Sequence, residues 1–341
     1  MFCSIVIPTY NRCCQLKRTL NCLFELKTPR NLFEIIVVDN GSTDNTKEIV
    51  EQYQTHHKDV QLRYFYDDIP GLLTGRHRGA KESKGEILTF IDDDVHVSSL
   101  WLDTIIDVMS NRKDVSLLTG PNLPLYETYP PDWLNEFWYK TPFGGKMCDS
   151  LSLLDIKKHE IEIDPNFVWG LNFTIRKDVF KELKGFQPDN MPPHLQMFQG
   201  GGETGLTENA KRLRKKALYH AGVLVYHEVP TSRLTFEYFD KRAYYLGLFL
   251  SYVELRNKKY NDQITTLQNV NNYSIIKMIN SIRELITRIL NTRSKKTTVK
   301  LRYELKVKEG YNFHQKMFKE NKKIREWVYK EDYFDYKLPQ L

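Results

Sequence analysis

Cysteine is scarce in this 341-residue chain: Cys3, Cys13, Cys14, Cys22 and Cys148 make an odd five with no CxxC pair. That excludes a secreted scaffold held by disulfides and fits a reducing compartment. Long apolar runs are missing too. The longest apolar-leaning stretch, residues 243–255, is well short of the roughly 20 residues that span a bilayer, so it reads as a helix that is buried or lies at a membrane surface. The start, MFCSIVIPTY, has no basic segment, no apolar stretch of signal length and no small-residue cleavage site, so a cytoplasmic protein is expected. The glycine-rich run 199–205 lacks the Lys-Ser/Thr of a P-loop, which excludes a nucleoside triphosphatase. No internal repeat is evident.

What is present is an ordinary globular composition, with 41% hydrophobic and 27% charged residues and a mean hydropathy of -0.52. The charge is unevenly placed. Residues 276–330 hold 16 Lys and Arg against five Glu and no Asp, a surplus of +11 in a chain of net +7, so the rest is mildly acidic. A basic region on an acidic body points to a polyanion, either anionic lipid or nucleic acid. Its cations alternate with Ile275, Ile276, Ile279, Ile282, Leu285, Ile286, Ile289 and Leu290 in an amphipathic pattern, which favours a membrane surface over nucleic acid. The same pattern would serve a homo-oligomer interface or a cover over the rest of the chain.

The first hundred residues alternate two hydrophobic periods. Apolar runs at 3–7, 34–38, 62–66 and 87–91 read as buried strands. Between the first two, Leu16, Leu20, Leu23 and Phe24 recur at helical spacing; after the second, Ser42 or Asp44 can cap a helix whose inner face carries Ile49, Val50 and Tyr53. A repeat of about 30 residues from strand to strand is that of a βαβ unit. The expected fold class is α/β, a mostly parallel twisted sheet flanked by helices, with a helical C-terminal region. Trp101, Ile105, Val108 and Met109 predict a further helix, 121–142 reads as a loop shaping a pocket, strand-like segments follow at 167–175 and 224–226, and 257–273 reads as a flexible connection.

In an open α/β sheet, ligands bind beyond the carboxyl ends of the strands. The first strand runs into Pro8-Thr9-Tyr10-Asn11-Arg12, the second into Asp39-Asn40-Gly41-Ser42, and the fourth into Asp92-Asp93-Asp94. Three consecutive aspartates repel one another unless a cation neutralises them, and in an extended segment Asp92 and Asp94 share a face, as suits a divalent metal that also binds phosphate. They also suit the cap of a helix starting near Ser98. Asp39 stands where a carboxylate meets a base or a ribose, or where it merely makes a turn. Arg76 and Arg78, flanking His77, can meet a diphosphate, although Arg78 equally suits a solvated helix face. Glu203 follows Gly200-Gly201-Gly202, a backbone able to bring one acid against a ligand. His227, after Leu224-Val225-Tyr226, is either a metal ligand or a structural histidine.

These segments, from Ser4-Ile5-Val6-Ile7-Pro8-Thr9-Tyr10-Asn11-Arg12 and Val37-Val38-Asp39-Asn40-Gly41-Ser42 through Phe90-Ile91-Asp92-Asp93-Asp94, Trp169-Gly170-Leu171-Asn172, Gly202-Glu203-Thr204 and His227-Glu228, resemble the family 2 inverting glycosyltransferases in order. The resemblance covers roughly residues 2 to 255. It implies a Rossmann-like, glycosyltransferase A-type fold, with a catalytic domain at 1–255 (1–98 for the nucleotide, 99–255 for the acceptor) and a basic helical region at 256–341.

It also implies a nucleotide-sugar donor, most commonly UDP-linked, and a divalent metal, Mn2+ or Mg2+. Pro8, Thr9, Tyr10, Asp39, Arg76 and Asp92 fall on nucleotide-contacting positions, with Asp39 at the base and Asp92 at the ribose; Arg12 and Asp93 belong with them. Asp94 and His227 fall on metal ligands and Glu203 on the catalytic base, while Trp169, Asn172 and Gly202 are candidates for contact with donor sugar or acceptor. The departure is at Gly202-Glu203, where many relatives carry an acidic pair; the next acid is Glu208. The acceptor implied is a glycan or a lipid-linked saccharide, and the enzyme would sit at the inner membrane face through its basic region. Two other readings remain: a sugar-1-phosphate nucleotidyltransferase, which should carry an Arg and Lys signature after the first strand where this chain has Pro8-Thr9-Tyr10-Asn11, and a non-catalytic scaffold that binds nucleotide sugars.

Overall fold

The structure, a computed structural model, describes residues 1–69, 71–265 and 298–334. The four expected strands form as β1 (Cys3–Thr9), β2 (Phe33–Asp39), β3 (Gln61–Tyr66) and β4 (Ile87–Ile91). They lie parallel in the order β3-β2-β1-β4, joined by helices α1 (Cys13–Phe24), α2 (Thr46–His56) and α3 (Leu72–Glu82). Every residue of β1, β2 and β4 is buried, as continuous apolar runs predict for strands covered on both faces. Leu16, Leu20 and Leu23 of α1 and Val50 of α2 close the core over them.

Beyond β4 the sheet turns mixed. β12 (Asn172–Arg176) runs antiparallel to both β4 and β6 (Val115–Thr119), and β13 (Lys216–His220) and β11 (Glu160–Ile163) complete eight strands. The helix predicted from Trp101 is α4 (Trp101–Asn111), with Trp101, Ile105, Val108 and Met109 buried. The three aspartates do not cap it: they form a turn between β4 and the short strand β5 (Val95–Val97).

The segment read as a loop at 121–142 is partly sheet. β7 (Asn122–Tyr126) and β8 (Tyr139–Lys140) join β9 (Lys146–Cys148), β10 (Leu153–Asp155), β14 (Val225–Val229) and β5 in a second sheet, ordered β5-β14-β7-β10-β9-β8. β5 and β14 bring the ends of Asp92-Asp93-Asp94 and His227 into one layer. Glycine gives α3 its closeness to β1: a Cβ on Gly79 would overlap the Val6 side chain, and one on Gly75 would stand 2.9 Å from Pro8.

The chain divides into two compact units, one of Met1–Asn190 and Gly202–Thr231, the other of Met191–Gly201 and Ser232–Leu341. The second contains α7 (Phe236–Thr265) and the helices Thr298–Glu320 and Lys322–Val328, with Ala243, Leu250 and Val307 packed together. The expected limit at residue 255 falls inside α7, and 257–265, read as a flexible connection, is its last part. In this unit Ser251 and the buried His314 share a hydrogen bond of 2.7 Å, and burial pulls His314 down to about 4. Residues 266–297, with the apolar positions from Ile275 to Leu290, lie outside the described residues. Among the described residues no helix is long and apolar enough to cross a membrane.

Candidate active site

The loops after β1 and β2 interlock. The Asn40 amide donates to Thr9 O (2.8 Å), the Asn11 amide to Ser42 Oγ (2.8 Å) and the Thr43 amide to Asn11 Oδ1 (2.7 Å). Asn11 takes a left-handed φ of 52°, which its short polar side chain tolerates. Asp39 is buried: its Oδ1 accepts from the Ser42 amide (2.7 Å) and its Oδ2 from the Tyr64 hydroxyl (2.8 Å). Burial, then this carboxylate, push the Tyr64 phenol up. A pocket of about 380 Å³ opens here, lined by Asp39, Ser42, Thr43, Asp44, Tyr64 and Tyr66. Tyr10 is 58% exposed at the loop, whereas Pro8 and Thr9 are buried in the strand, Thr9 Oγ1 donating to Asp93 Oδ2 at 2.8 Å. Of the residues lining it, the sequence singles out Asp39 and gives no sign of Tyr64 and Tyr66.

Because the aspartates occupy a turn, the alternation expected of an extended segment does not hold. Arg12 lies 3.0 Å from Asp93 Oδ1 and donates to Asp94 Oδ2 at 2.7 Å, while Asp92 accepts from Arg76 at 3.0 Å. Burial pushes the Asp93 carboxyl up to about 7, against the pull of Arg12. On its other side, Asp94 Oδ1 lies 3.5 Å from His227 Nε2. His227 Nδ1 stands 2.9 Å from Leu151 O; a carbonyl only accepts, so Nδ1 carries the hydrogen and Nε2 is the nitrogen left for ligation. One carboxylate and one imidazole nitrogen suit Mn2+ or Mg2+, provided the remaining positions come from ligand oxygens. Among the described residues no cluster of three or more His, Cys, Asp or Glu is arranged to hold a metal.

Glu228, beside His227, is taken by Arg18 (2.6 Å) and His96 (2.7 Å). These contacts brace β14 against α1 and β5, and no motif pointed to them.

Arg76 stands on α3 and is 2% exposed. Its guanidinium donates to Asp92, reaches to 3.7 Å from Glu203 Oε2 and lies over the Phe186 ring. Gly170 makes room for it, since any Cβ at that position would fall inside the guanidinium. The Gly170 amide in turn donates to Glu203 Oε1 at 3.3 Å, and the neighbouring Trp169 is anchored by its indole N–H on Asn166 O at 3.1 Å. Glu203 stands in the first turn of α6 (Gly202–Arg212). Glu208 is held by Asn166 and pushed up by burial, which leaves Glu203 as the acid of α6 that meets Arg76.

Other expected residues lie elsewhere. Asn172 is fully buried, accepting from the Trp101 indole (3.1 Å) and donating to Val223 O (2.8 Å), so it holds the sheet rather than facing a sugar. Arg78 pairs with Glu82 at 3.0 Å and lies over Phe65. Asp189, which carried no sequence signal beyond a turn-like Pro-Asp-Asn, places a carboxylate oxygen 2.8 Å from where a Cβ on Gly202 would be.

Several known proteins share parts of this chain. Glycosyltransferase AglE of Haloferax volcanii is 29% identical over 209 residues, 61% of each chain, and the validoxylamine A glucosyltransferase of Streptomyces hygroscopicus subsp. jinggangensis is 25% identical over 54% of this chain and 47% of its own. The chain thus spans less than two thirds of the length of these curated relatives. Among solved structures, a mannosyltransferase from Pyrobaculum calidifontis in complex with GDP-Man and Mn2+ aligns over 97% of this chain and 84% of its own, with a TM-score of 0.52 at 15% identity, a likeness of fold. Residues 4–184, more than half of the sequence and holding Arg12, Asp39, Arg76, the three aspartates and Gly170, match the glycosyl transferase family 2, and the chain belongs to that family.

Proposed function

We propose that the chain transfers a sugar from a nucleotide-diphosphate sugar, a UDP-sugar, to a hydroxyl of a glycan or lipid-linked saccharide, with inversion and with help from a divalent metal. The observation that carries this reading is the pairing of Asp94 with His227, 3.5 Å apart, in the same unit as Glu203 held between Arg76 and the Gly170 amide. In this reading residues 1–98 meet the nucleotide and 99–255 the acceptor. Asp39 and the pocket beside Tyr64 and Tyr66 take the base, and Tyr10 covers it. A metal held by Asp94 and His227 would supply positive charge against the leaving diphosphate. Glu203 accepts the proton of the acceptor hydroxyl, whose oxygen attacks the anomeric carbon opposite the departing phosphate. One displacement inverts the configuration, and Arg76 adds a fixed positive charge near the bond that breaks.

S. aureus TarS, residues 1–349, is known in complex with UDP-GlcNAc and matches this fold with a TM-score of 0.51 at 16% identity, so UDP-GlcNAc is the first donor to try. Calorimetric titration with UDP, GDP and dTDP, each with and without Mn2+, should give metal-dependent binding of one nucleotide. Glu203→Gln should then lower turnover by orders of magnitude while nucleotide binding survives. No binding of any nucleotide in either condition would remove the reading.

The basic region at 256–341 is proposed to hold the enzyme on an anionic membrane at the cytoplasmic face. Flotation with anionic liposomes should carry the full chain and leave one ending near Asp262 in solution; both staying in solution would refute it.

A further inference from the structure

Two neighbouring residues of α1 reach the two chain segments that carry Asp94 and His227. The buried Thr19 hydroxyl donates to Asp93 O at 2.8 Å and accepts from the Val95 amide at 3.2 Å, so it fixes the peptide groups on both sides of Asp94. Arg18 reaches β14 instead. Its Nε and Nη2 donate to the two carboxylate oxygens of Glu228, each at 2.6 Å, the parallel pair of bonds that gives an arginine and a carboxylate a fixed mutual orientation. His96 Nε2, on β5, stands 2.7 Å from Glu228 Oε1; a carboxylate only accepts, so the imidazole donates.

Glu228 also closes the pairing of β14 with β5. β5 has three residues, lies at the edge of the second sheet and pairs with β14 from Val97 opposite Val225 to Val95 opposite His227. One further bond, from the Glu228 amide to Asp94 O at 3.0 Å, ends this ladder. A ladder so short holds its last rung weakly. Along β14 His227 is buried and Glu228 is partly exposed, as alternate residues of a strand face opposite ways, so Glu228 grips the strand from the face away from His227. With two protein ligands the centre has none to spare, and a shift of β14 against the aspartate turn changes the spacing of His227 and Asp94 directly.

Building on the metal-assisted reading above, we propose that Glu228, clamped by Arg18, is a positioning residue of the metal site: through it α1 holds β14 at the register in which His227 Nε2 and Asp94 Oδ1 stand 3.5 Å apart. Thr19 fixes Asp94 and Arg18 fixes His227 through its neighbour, so one helix assembles the ligand pair before an ion arrives. Groups that orient metal ligands in this way are worth about 10–100-fold in affinity. The charge of Arg18 acts in the opposite sense, because a cation near the site repels a metal ion. Charge and position therefore predict opposite outcomes when Arg18 is removed.

The test is Arg18→Ala in the full chain, with free Mn2+ read by electron paramagnetic resonance in the absence and presence of UDP. Loss of the clamp should weaken Mn2+ binding tenfold or more, although a positive charge has gone. Glu228→Gln, which keeps the shape and loses the bidentate pair, should weaken it as much, and the double variant no more than the larger single change, because both remove one clamp. Arg302→Ala, which breaks a bidentate pair with Asp240 in the second unit, should leave Mn2+ affinity within twofold of wild type and measures the loss of an ion pair alone. Unchanged or tighter Mn2+ binding by Arg18→Ala or Glu228→Gln would overturn the proposal, as would an equal loss in Arg302→Ala. Asp94→Asn separates the two readings. If it binds Mn2+ as the wild type does, or if the wild type binds none, the metal reading falls and this inference with it; if it loses Mn2+ while Arg18→Ala and Glu228→Gln keep it, this inference alone falls.

Discussion

Arg12 donates to Asp94 at 2.7 Å from the side opposite His227, so one guanidinium rests on the carboxylate that the family resemblance assigns to the metal. The same guanidinium holds Asp93 at 3.0 Å. Arg12 is an internal cation where an external one is expected, and a metal binding there would compete with it for Asp94. Arg12→Ala should therefore bind Mn2+ more tightly than wild type in the absence of nucleotide, by roughly tenfold, measured by electron paramagnetic resonance. Without metal the variant takes the guanidinium away from two buried carboxylates and should lose about 3 kcal/mol of stability, which Mn2+ recovers in a thermal melt.

Gly170 offers a second test. A methyl group there overlaps the Arg76 guanidinium, so Gly170→Ala must move Arg76 or the strand lead-in. The expected cost is about 1–3 kcal/mol of stability, as for overpacking, with a larger proportional loss of turnover because the Gly170 amide also holds Glu203. Denaturation and initial rates separate the two effects.

Asn172 tests the division between holding and reacting. Asn172→Ala leaves the Trp101 indole without its acceptor and opens a polar gap, so stability should fall by about 1–3 kcal/mol. The KM values of the folded fraction should stay near wild type. A large change in acceptor KM with unchanged stability would return Asn172 to the sugar-binding set.

His314 gives the pH prediction. Its folded value of about 4 lies below the ordinary 6.5 because burial disfavours the charged ring. The unfolded chain then binds the extra proton first, so the contribution is complete above pH 6.5 and is lost as pH falls from 6.5 towards 4. Chemical denaturation should show stability dropping across that window by as much as about 3 kcal/mol, and His314→Gln should flatten the slope.

The legibility of the sequence follows burial. β1, β2 and β4 are covered on both faces, and their apolar runs located them within one or two residues. The second sheet has strands of two to five residues; in β8, Tyr139 and Lys140 are both exposed, and such strands leave no period to read. The site divides in the same way. Asp39, Asp94 and Glu203 stand at strand or helix ends that the pattern marks, whereas His227, expected at a strand end, is the central residue of β14. Arg12 on Asp94 spans 82 positions and Asp189 on Gly202 depends on a glycine having no side chain, relationships that only the assembled fold creates.

Trp169 also makes the site optically visible. It is half-buried, adjoins the Gly170 amide that holds Glu203, and keeps its indole anchored on Asn166. A ligand that shifts Glu203 or Arg76 must disturb the peptide on which this fluorophore sits. Emission from a chain whose other four tryptophans are replaced by phenylalanine would follow ligand binding at the centre in real time, before any product forms and with no label added.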